Sequence, residues 1–144
     1  MARNGIKSLG LGKGGHREQL TSVYFDTPKR TLQKHGLTLR VRTTKDGVVQ
    51  TVKAQHAGGS GLFQRSEWEA AIAGPTPDRD AWSKTPVGDE LPKHPTLEPV
   101  FETIIDRMTW TIKADRSRVE VALDRGRVVA FPADAAVDVQ LAER

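Results

Sequence analysis

The chain has 144 residues, which fits one domain with its own hydrophobic core. The absence of cysteine excludes disulfides and thiolate metal sites, so a metal would need oxygen or imidazole ligands. A net charge of +4 favours an anionic partner, and the lack of a long apolar run or a signal-peptide core predicts a cytoplasmic protein that does not bind membranes.

The first 17 residues are rich in Gly, Lys and Arg and lack hydrophobic periodicity. Three glycines in this stretch have the spacing of a nucleotide-binding G-x-G-x-x-G motif. That motif requires a helix after its last glycine, whereas the run that begins at Gln19 is typical of a strand. We therefore predict a flexible basic leader over residues 1–17 and a single domain over residues 18–144.

Most of the domain is predicted to form short strands separated by turns. Thr27, Pro28 and Gly36 are typical of an N-cap, a first helical position and a helix stop, and they predict a helix over Pro28–His35. A second short helix is expected over Arg79–Lys84. Asp-Gly in Lys45-Asp46-Gly47, and the turn-like Asp124-Arg125-Gly126, predict two hairpins. The predicted strands are Gln19–Asp26, Leu37–Thr43, Val48–Ala54, Gln64–Ile72, Ile104–Ala114, Arg118–Asp124, Arg127–Phe131 and Val137–Leu141.

Ionisable residues of both signs recur on one face of successive predicted strands, because side chains in a strand alternate with period two. Arg40 and Arg42, for example, lie on the face opposite Leu39 and Val41. This pattern fits an antiparallel sheet with one solvated face and one packed face. It also fits a closed sheet whose charged rows line a polar interior and bind a ligand. The alternation alone leaves both interpretations open.

The tryptophans bear on whether the anionic partner is a nucleic acid. Trp68, Trp82 and Trp110 would suit a stacking surface for single-stranded nucleic acid. However, Trp68 and Trp110 fall on the apolar faces of their strands, which favours packing in the core. A phosphorylated small molecule is therefore the expected partner.

An ordered set of motifs over roughly residues 20 to 141 resembles the CYTH family, which includes inorganic triphosphatases, thiamine triphosphatases and class IV adenylyl cyclases. The motifs are Val23-Tyr24-Phe25-Asp26-Thr27-Pro28, Leu37-Thr38-Leu39-Arg40-Val41-Arg42, Gln50-Thr51-Val52-Lys53, Arg65-Ser66-Glu67-Trp68-Glu69, Pro99-Val100-Phe101-Glu102-Thr103, Arg107-Met108-Thr109-Trp110 and Val119-Glu120-Val121-Ala122-Leu123-Asp124-Arg125-Gly126.

The resemblance implies an α+β, mainly β fold: a closed or nearly closed antiparallel barrel, the triphosphate tunnel, with a few short helices. It implies metal-dependent hydrolysis of inorganic triphosphate or a small organic triphosphate, with Mg²⁺ or Mn²⁺ as cofactor. The positions that match the family's triphosphate-binding residues are Arg40, Arg42, Lys53, Arg65 and Arg107, and those expected to hold metal are Glu67, Glu69, Glu120, Asp124 and Asp138.

The sequence departs from the family pattern on the metal-binding side. The family opens with a Glu-x-Glu-x-Lys strand, whereas this chain has no acidic residue before Glu18, and Gln140 stands where a glutamate is usual. Two alternatives follow: a catalytically impaired module that binds polyphosphate or nucleotide, and an adenylyl cyclase. A missing strand would also leave unpaired sheet edges, a route to a homodimer or to instability.

Overall fold

The computed structural model describes residues 14–57, 63–91, 93, 95–131 and 135–140. These residues form one antiparallel sheet of seven strands with three short helical segments. The strands are β1 (His16–Asp26), β2 (Leu37–Thr44), β3 (Gly47–Ala57), β4 (Phe63–Ile72), β5 (Glu98–Ala114), β6 (Ser117–Ala130) and β7 (Ala135–Gln140). The helical segments are α1 (Thr31–Lys34), α2 (Arg79–Ser83) and a 3₁₀ turn (Gly88–Glu90). In the described part of the chain, no helix has the length and apolar character needed to cross a membrane.

The sheet that the described residues form is not closed, so the predicted closed or nearly closed barrel is confirmed only as a mainly antiparallel β fold. The strand order is β4-β3-β2-β1-β5-β6-β7, so β4 and β7 are the two edges and do not pair with each other. The physical reason is that no further strand among the described residues bridges these edges. The mainly antiparallel β architecture itself is confirmed.

One face of the sheet packs the hydrophobic core, and we call it the apolar face. Leu39 on β2 and Val52 on β3 are directly paired, and both are buried. α1 and the segment that contains α2 cover them with Leu32 and Trp82. The core packing predicted for Trp68 and Trp110 is confirmed, because Trp68 packs against this core and Trp110 is buried in a second apolar cluster. The charged side chains are thereby left on the opposite face.

The predicted first helix is present but shorter, because its first turn is held by side chains rather than by helical bonds. Asp26 accepts backbone N–H groups of Thr27, Leu32 and Gln33 at 2.7, 2.9 and 3.2 Å. α1 therefore begins at Thr31, and Pro28 lies in the preceding turn. Gly36 follows with φ of 69°, a left-handed conformation that favours glycine and ends the helix as predicted.

The predicted hairpin at Asp124-Arg125-Gly126 is wrong, because β6 runs without a break from Ser117 to Ala130. The turn lies earlier, between the paired residues Ala114 and Ser117. Gly126 is needed for a close approach rather than for a turn: a Cβ there would lie 2.2 Å from the carbonyl oxygen of Ile104 on β5. The Lys45-Asp46-Gly47 hairpin between β2 and β3 is confirmed.

Two strands begin well before the residues at which the sequence indicates that they start. β1 starts at His16 rather than Gln19, and β5 starts at Glu98 rather than Ile104. The two strands pair with each other from His16 to Asp26, and this pairing extends both. Glu18 is therefore part of the sheet. A strand does follow the glycine-rich segment, as predicted, whereas residues 1–13 of the proposed leader lie outside the described residues.

Candidate functional site

The face opposite the core carries the charged residues that the alternation predicted, and we call it the charged face. Its register can be followed across the sheet from strand to strand. Arg40 on β2 pairs with Thr51 on β3 and with Tyr24 on β1. Arg42 pairs with Ser22 on β1. Because directly paired residues point to the same side, these side chains line one continuous surface.

Arg40 is the most deeply buried cation among the described side chains of this face. It is only 7% exposed, and its Nη2 donates to Thr51 Oγ1 at 3.2 Å. Its Nε is buried and has no hydrogen-bond partner among the described residues. Leaving a charged donor buried and unpaired is costly, and such donors in native proteins usually have a partner. The geometry therefore provides an unused donor for an anion.

Arg42 lies next to Arg40 on the same face of β2, and its Nε donates to Ser22 Oγ at 2.9 Å. Burial lowers the pKa of Arg42, and the positive charge of Arg40 lowers it further. Arg107 acts in the same direction, whereas Tyr24 and Glu18 oppose the shift. Arginine keeps its proton throughout the neutral range, so the lowered pKa reflects first the burial of a charged side chain and second the nearby positive charge of Arg40.

At the β3–β4 side, Lys53 and Glu67 are directly opposite each other and form an ion pair of 3.4 Å. Glu69 occupies the next position of the row, opposite Thr51, and both glutamates are exposed. Arg65 is in register with Gln55 on β3, and its side chain lies outside the described residues. Lys53 is thus partly neutralised by its neighbour, unlike Arg40.

At the β5–β6 side, Arg107 and Asp124 are directly paired and form a two-pronged contact. Arg107 Nε and Nη2 donate to the two carboxylate oxygens at 2.6 and 2.8 Å. The hydrogen bond to Asp124 raises the pKa of Arg107, although burial opposes the shift. Asp124 is only 5% exposed. The guanidinium of Arg107 therefore binds the carboxylate of Asp124 through two parallel hydrogen bonds, a geometry that arginine favours.

Sequence reasoning missed residues of β1 that lie on the charged face. Ser22 is fully buried and holds Arg42, while Tyr24 stacks on Phe101 with ring centroids 4.3 Å apart. Glu18 is directly opposite Arg107. The period-two alternation from Leu20 to Tyr24 could have identified Ser22 and Tyr24. Glu18 lay outside the predicted strand, and only the pairing with β5 places it here.

The remaining predicted metal residues are spread along β6 and β7. Glu120 is exposed and is paired with Thr111 on β5. In backbone register Asp138 stands opposite Arg127 on β6, three residues along from Asp124. A place for Asp138 in a metal site therefore stays a prediction.

The carboxylates of the charged face do not form a cage for a metal ion. Among the described residues, no three acidic or histidine side chains converge on a common point. However, Mg²⁺ is commonly held by one or two carboxylates together with phosphate oxygens of a substrate. The dispersed carboxylates fit this second arrangement, in which a bound phosphate chain completes the coordination.

Residues 5–142 match the sequence profile of the CYTH domain family. The chain belongs to this family. An inorganic triphosphatase from Haemophilus influenzae is 31% identical over 112 residues, which make up 77% of this chain. The match covers 32% of that protein, so this CYTH domain spans about a third of its relative's length.

Two solved structures share the fold of this CYTH domain. A putative adenylate cyclase from Bacillus halodurans superposes with a TM-score of 0.52 and 18% identity, over 86% of this chain and 65% of that one. A putative adenylyl cyclase from Hippeastrum, described as having a dominant triphosphatase activity, superposes with a TM-score of 0.57 and 17% identity, over 87% of this chain and 67% of that one. The predicted family resemblance is confirmed.

Proposed function

We propose that this CYTH domain binds inorganic triphosphate or a small organic triphosphate on its charged face and hydrolyses it with a divalent cation, Mg²⁺ or Mn²⁺. The single observation that carries the proposal is the buried Arg40, whose Nε has no hydrogen-bond partner among the described residues, next to Arg42 on the same strand face. Two guanidinium groups side by side suit phosphate oxygens, which they bind in a planar, two-pronged geometry.

The charge of the site favours a chain of phosphates over a single phosphate. Arg40 and Arg42 on β2 are flanked by Lys53 on the adjacent strand β3 and by Arg107 on β5, which lies beyond β1. A triphosphate carries several negative charges and spans more than one of these cations. The activity of the Haemophilus relative, an inorganic triphosphatase, supports the same substrate class.

A divalent cation is proposed because the charged face carries carboxylates as well as cations. On this face the candidates are Glu67, Glu69, Glu120 and Asp124, whereas Asp138 stays a candidate on β7, where its backbone is paired with Arg127. The cation would neutralise charge across the phosphates and help position the attacking water. The chain's own part is to hold the phosphate chain against Arg40 and Arg42 while the carboxylates face its exposed side.

The test is phosphate release from inorganic triphosphate, ATP and thiamine triphosphate, with Mg²⁺, with Mn²⁺ and with EDTA. We expect release that requires the cation and falls at least tenfold in Arg42→Gln, since a hydrogen bond to a charged group contributes about 1.5–3 kcal/mol. Arg116→Gln, in the exposed β5–β6 turn, is the matched control and should keep the activity. Equal activity in both variants would remove Arg42 from the site.

A second candidate is a triphosphate-binding module without turnover. It is favoured by one observation: Asp124 is held by Arg107 rather than directed to an open cation position. Triphosphate that raises the melting temperature without any phosphate release would favour this alternative. The appearance of cyclic AMP from ATP in the same assay would indicate a cyclase instead.

A further inference from the structure

Glu18 occupies an unusual position in the charged face. It lies on β1 directly opposite Arg107, and Arg107 is in turn directly opposite Asp124 on β6. The three adjacent strands β1, β5 and β6 therefore present a row of three charged groups, in which the guanidinium of Arg107 lies between the carboxylates of Glu18 and Asp124. Arg107 turns towards Asp124, with which it forms both of its close contacts. Glu18 is left on the other side of the guanidinium.

The carboxylate of Glu18 remains available for a ligand. It is half-buried, and it forms no hydrogen bond or ion pair with another side chain in the described ranges. Its charge acts on both Arg107 and Arg42. Glu18 thus lies on the charged face, opposite Arg107 and close enough to Arg42 for its charge to act on both.

We propose that Glu18 is a further residue of this site, and that its carboxylate couples the binding of a divalent cation to the binding of triphosphate. This proposal rests on the proposed function. Without a cation, the negative charge of Glu18 opposes the phosphate chain held by Arg42. With a cation between them, the same carboxylate becomes a ligand that holds the chain. One or two protein carboxylates plus phosphate oxygens are a common set for Mg²⁺.

If Glu18 has this role, the change in triphosphate affinity on removing its charge has opposite signs with and without the cation. Removing the charge of Glu18 relieves a repulsion in EDTA but removes a ligand when Mg²⁺ is present. A residue that merely supports the fold would not change triphosphate affinity in opposite directions under the two conditions.

The experiment is calorimetric titration with the hydrolysis-resistant imido analogue of triphosphate, in EDTA and in Mg²⁺, for the wild type and Glu18→Gln. In EDTA we expect the variant to bind about three- to tenfold more tightly, as one charge removed at this range implies. In Mg²⁺ we expect it to lose the gain in affinity that the cation gives the wild type. Glu102→Gln is the matched control, since Glu102 lies on the neighbouring strand β5 on the apolar-face side, opposite Val23.

The outcomes separate this inference from the proposed function. If the wild type binds the analogue and Arg42→Gln abolishes binding, while Glu18→Gln keeps the full Mg²⁺ enhancement, the role of Glu18 is overturned and the triphosphate site stands. If the wild type does not bind the analogue under either condition, the proposed function itself fails. Loss of the enhancement in Glu102→Gln as well would also overturn the assignment, because the effect would not be local.

Discussion

An arginine on each side of the charged face has a different kind of partner. On β2, Arg40 is 7% exposed, and its Nε has no partner among the described residues. On β5, Arg107 is held by both carboxylate oxygens of Asp124. Both arginines come from the same kind of alternating strand. They differ because β3 offers Arg40 a threonine, whereas β6 offers Arg107 an aspartate.

This difference indicates which of the two arginines is better placed to bind an anion. A neutralised pair contributes to the fold and has little charge left for a ligand. An arginine without a countercharge destabilises the isolated domain and gains most when a phosphate arrives. The β2 side is therefore expected to govern triphosphate affinity, and the β5–β6 side to govern stability.

Replacing Arg40 by methionine should separate affinity from stability most clearly. Triphosphate binding is expected to fall by about 10- to 100-fold, because a charged donor is lost. The free energy of unfolding should stay the same or rise, since a buried unpaired donor is replaced by an apolar chain of similar length. Calorimetric titration and urea unfolding measure the two effects. Arg116→Met is the control, and a stable variant with intact binding would contradict the comparison.

Gly126→Ala should destabilise the β5–β6 side. The added Cβ would meet the backbone carbonyl of Ile104 at 2.2 Å, and the strands would have to separate. A loss of about 1–3 kcal/mol in unfolding free energy is expected, as for other overpacked sites. Gly74→Ala is the matched control, because a Cβ there meets nothing within 4 Å. Urea unfolding distinguishes them, and equal stability would show that β5 and β6 tolerate a wider spacing.

Asp124→Asn should leave Arg107 without a countercharge, as Arg40 is on β2. Arg107 would lose its countercharge, and the unfolding free energy should fall by about 1–2 kcal/mol, less than for a fully buried pair because Arg107 is partly exposed. The released positive charge should at the same time strengthen triphosphate binding in EDTA. Unchanged affinity in the titration would mean that Arg107 is too far from the phosphate chain to contribute.

The smallest effect is expected at the exposed pair of Arg17 and Asp106, next to this region. The hydrogen bond from Arg17 lowers the pKa of Asp106, so the pair contributes stability above the ordinary aspartate pKa and loses it as the pH falls through the lowered value. Asp106→Asn should therefore matter little at neutral pH and not at all in strong acid. High salt should abolish even the neutral-pH difference, because exposed ion pairs are screened. Urea midpoints at both pH values test this.

Much of the site could be predicted because a strand places alternate residues on one face. Arg40, Arg42 and Lys53 were assigned to a common surface on that basis, and the structure places them there. Glu18 was missed, because a strand's end depends on the partner strand with which it pairs. The turn at Asp124 was predicted wrongly, because a glycine that permits close packing looks the same in sequence as a glycine that permits a turn.

Most of the strands, the charged face and the family could be predicted from the sequence, since each depends on local alternation or on the order of motifs along the chain. The missing pairing between β4 and β7, the ion pair of Arg107 with Asp124, and the buried Arg40 donor without a partner among the described residues are visible only in the folded chain. These properties depend on residues far apart in the chain. Register between strands sets which side chains meet, and register follows from the packing of the whole sheet.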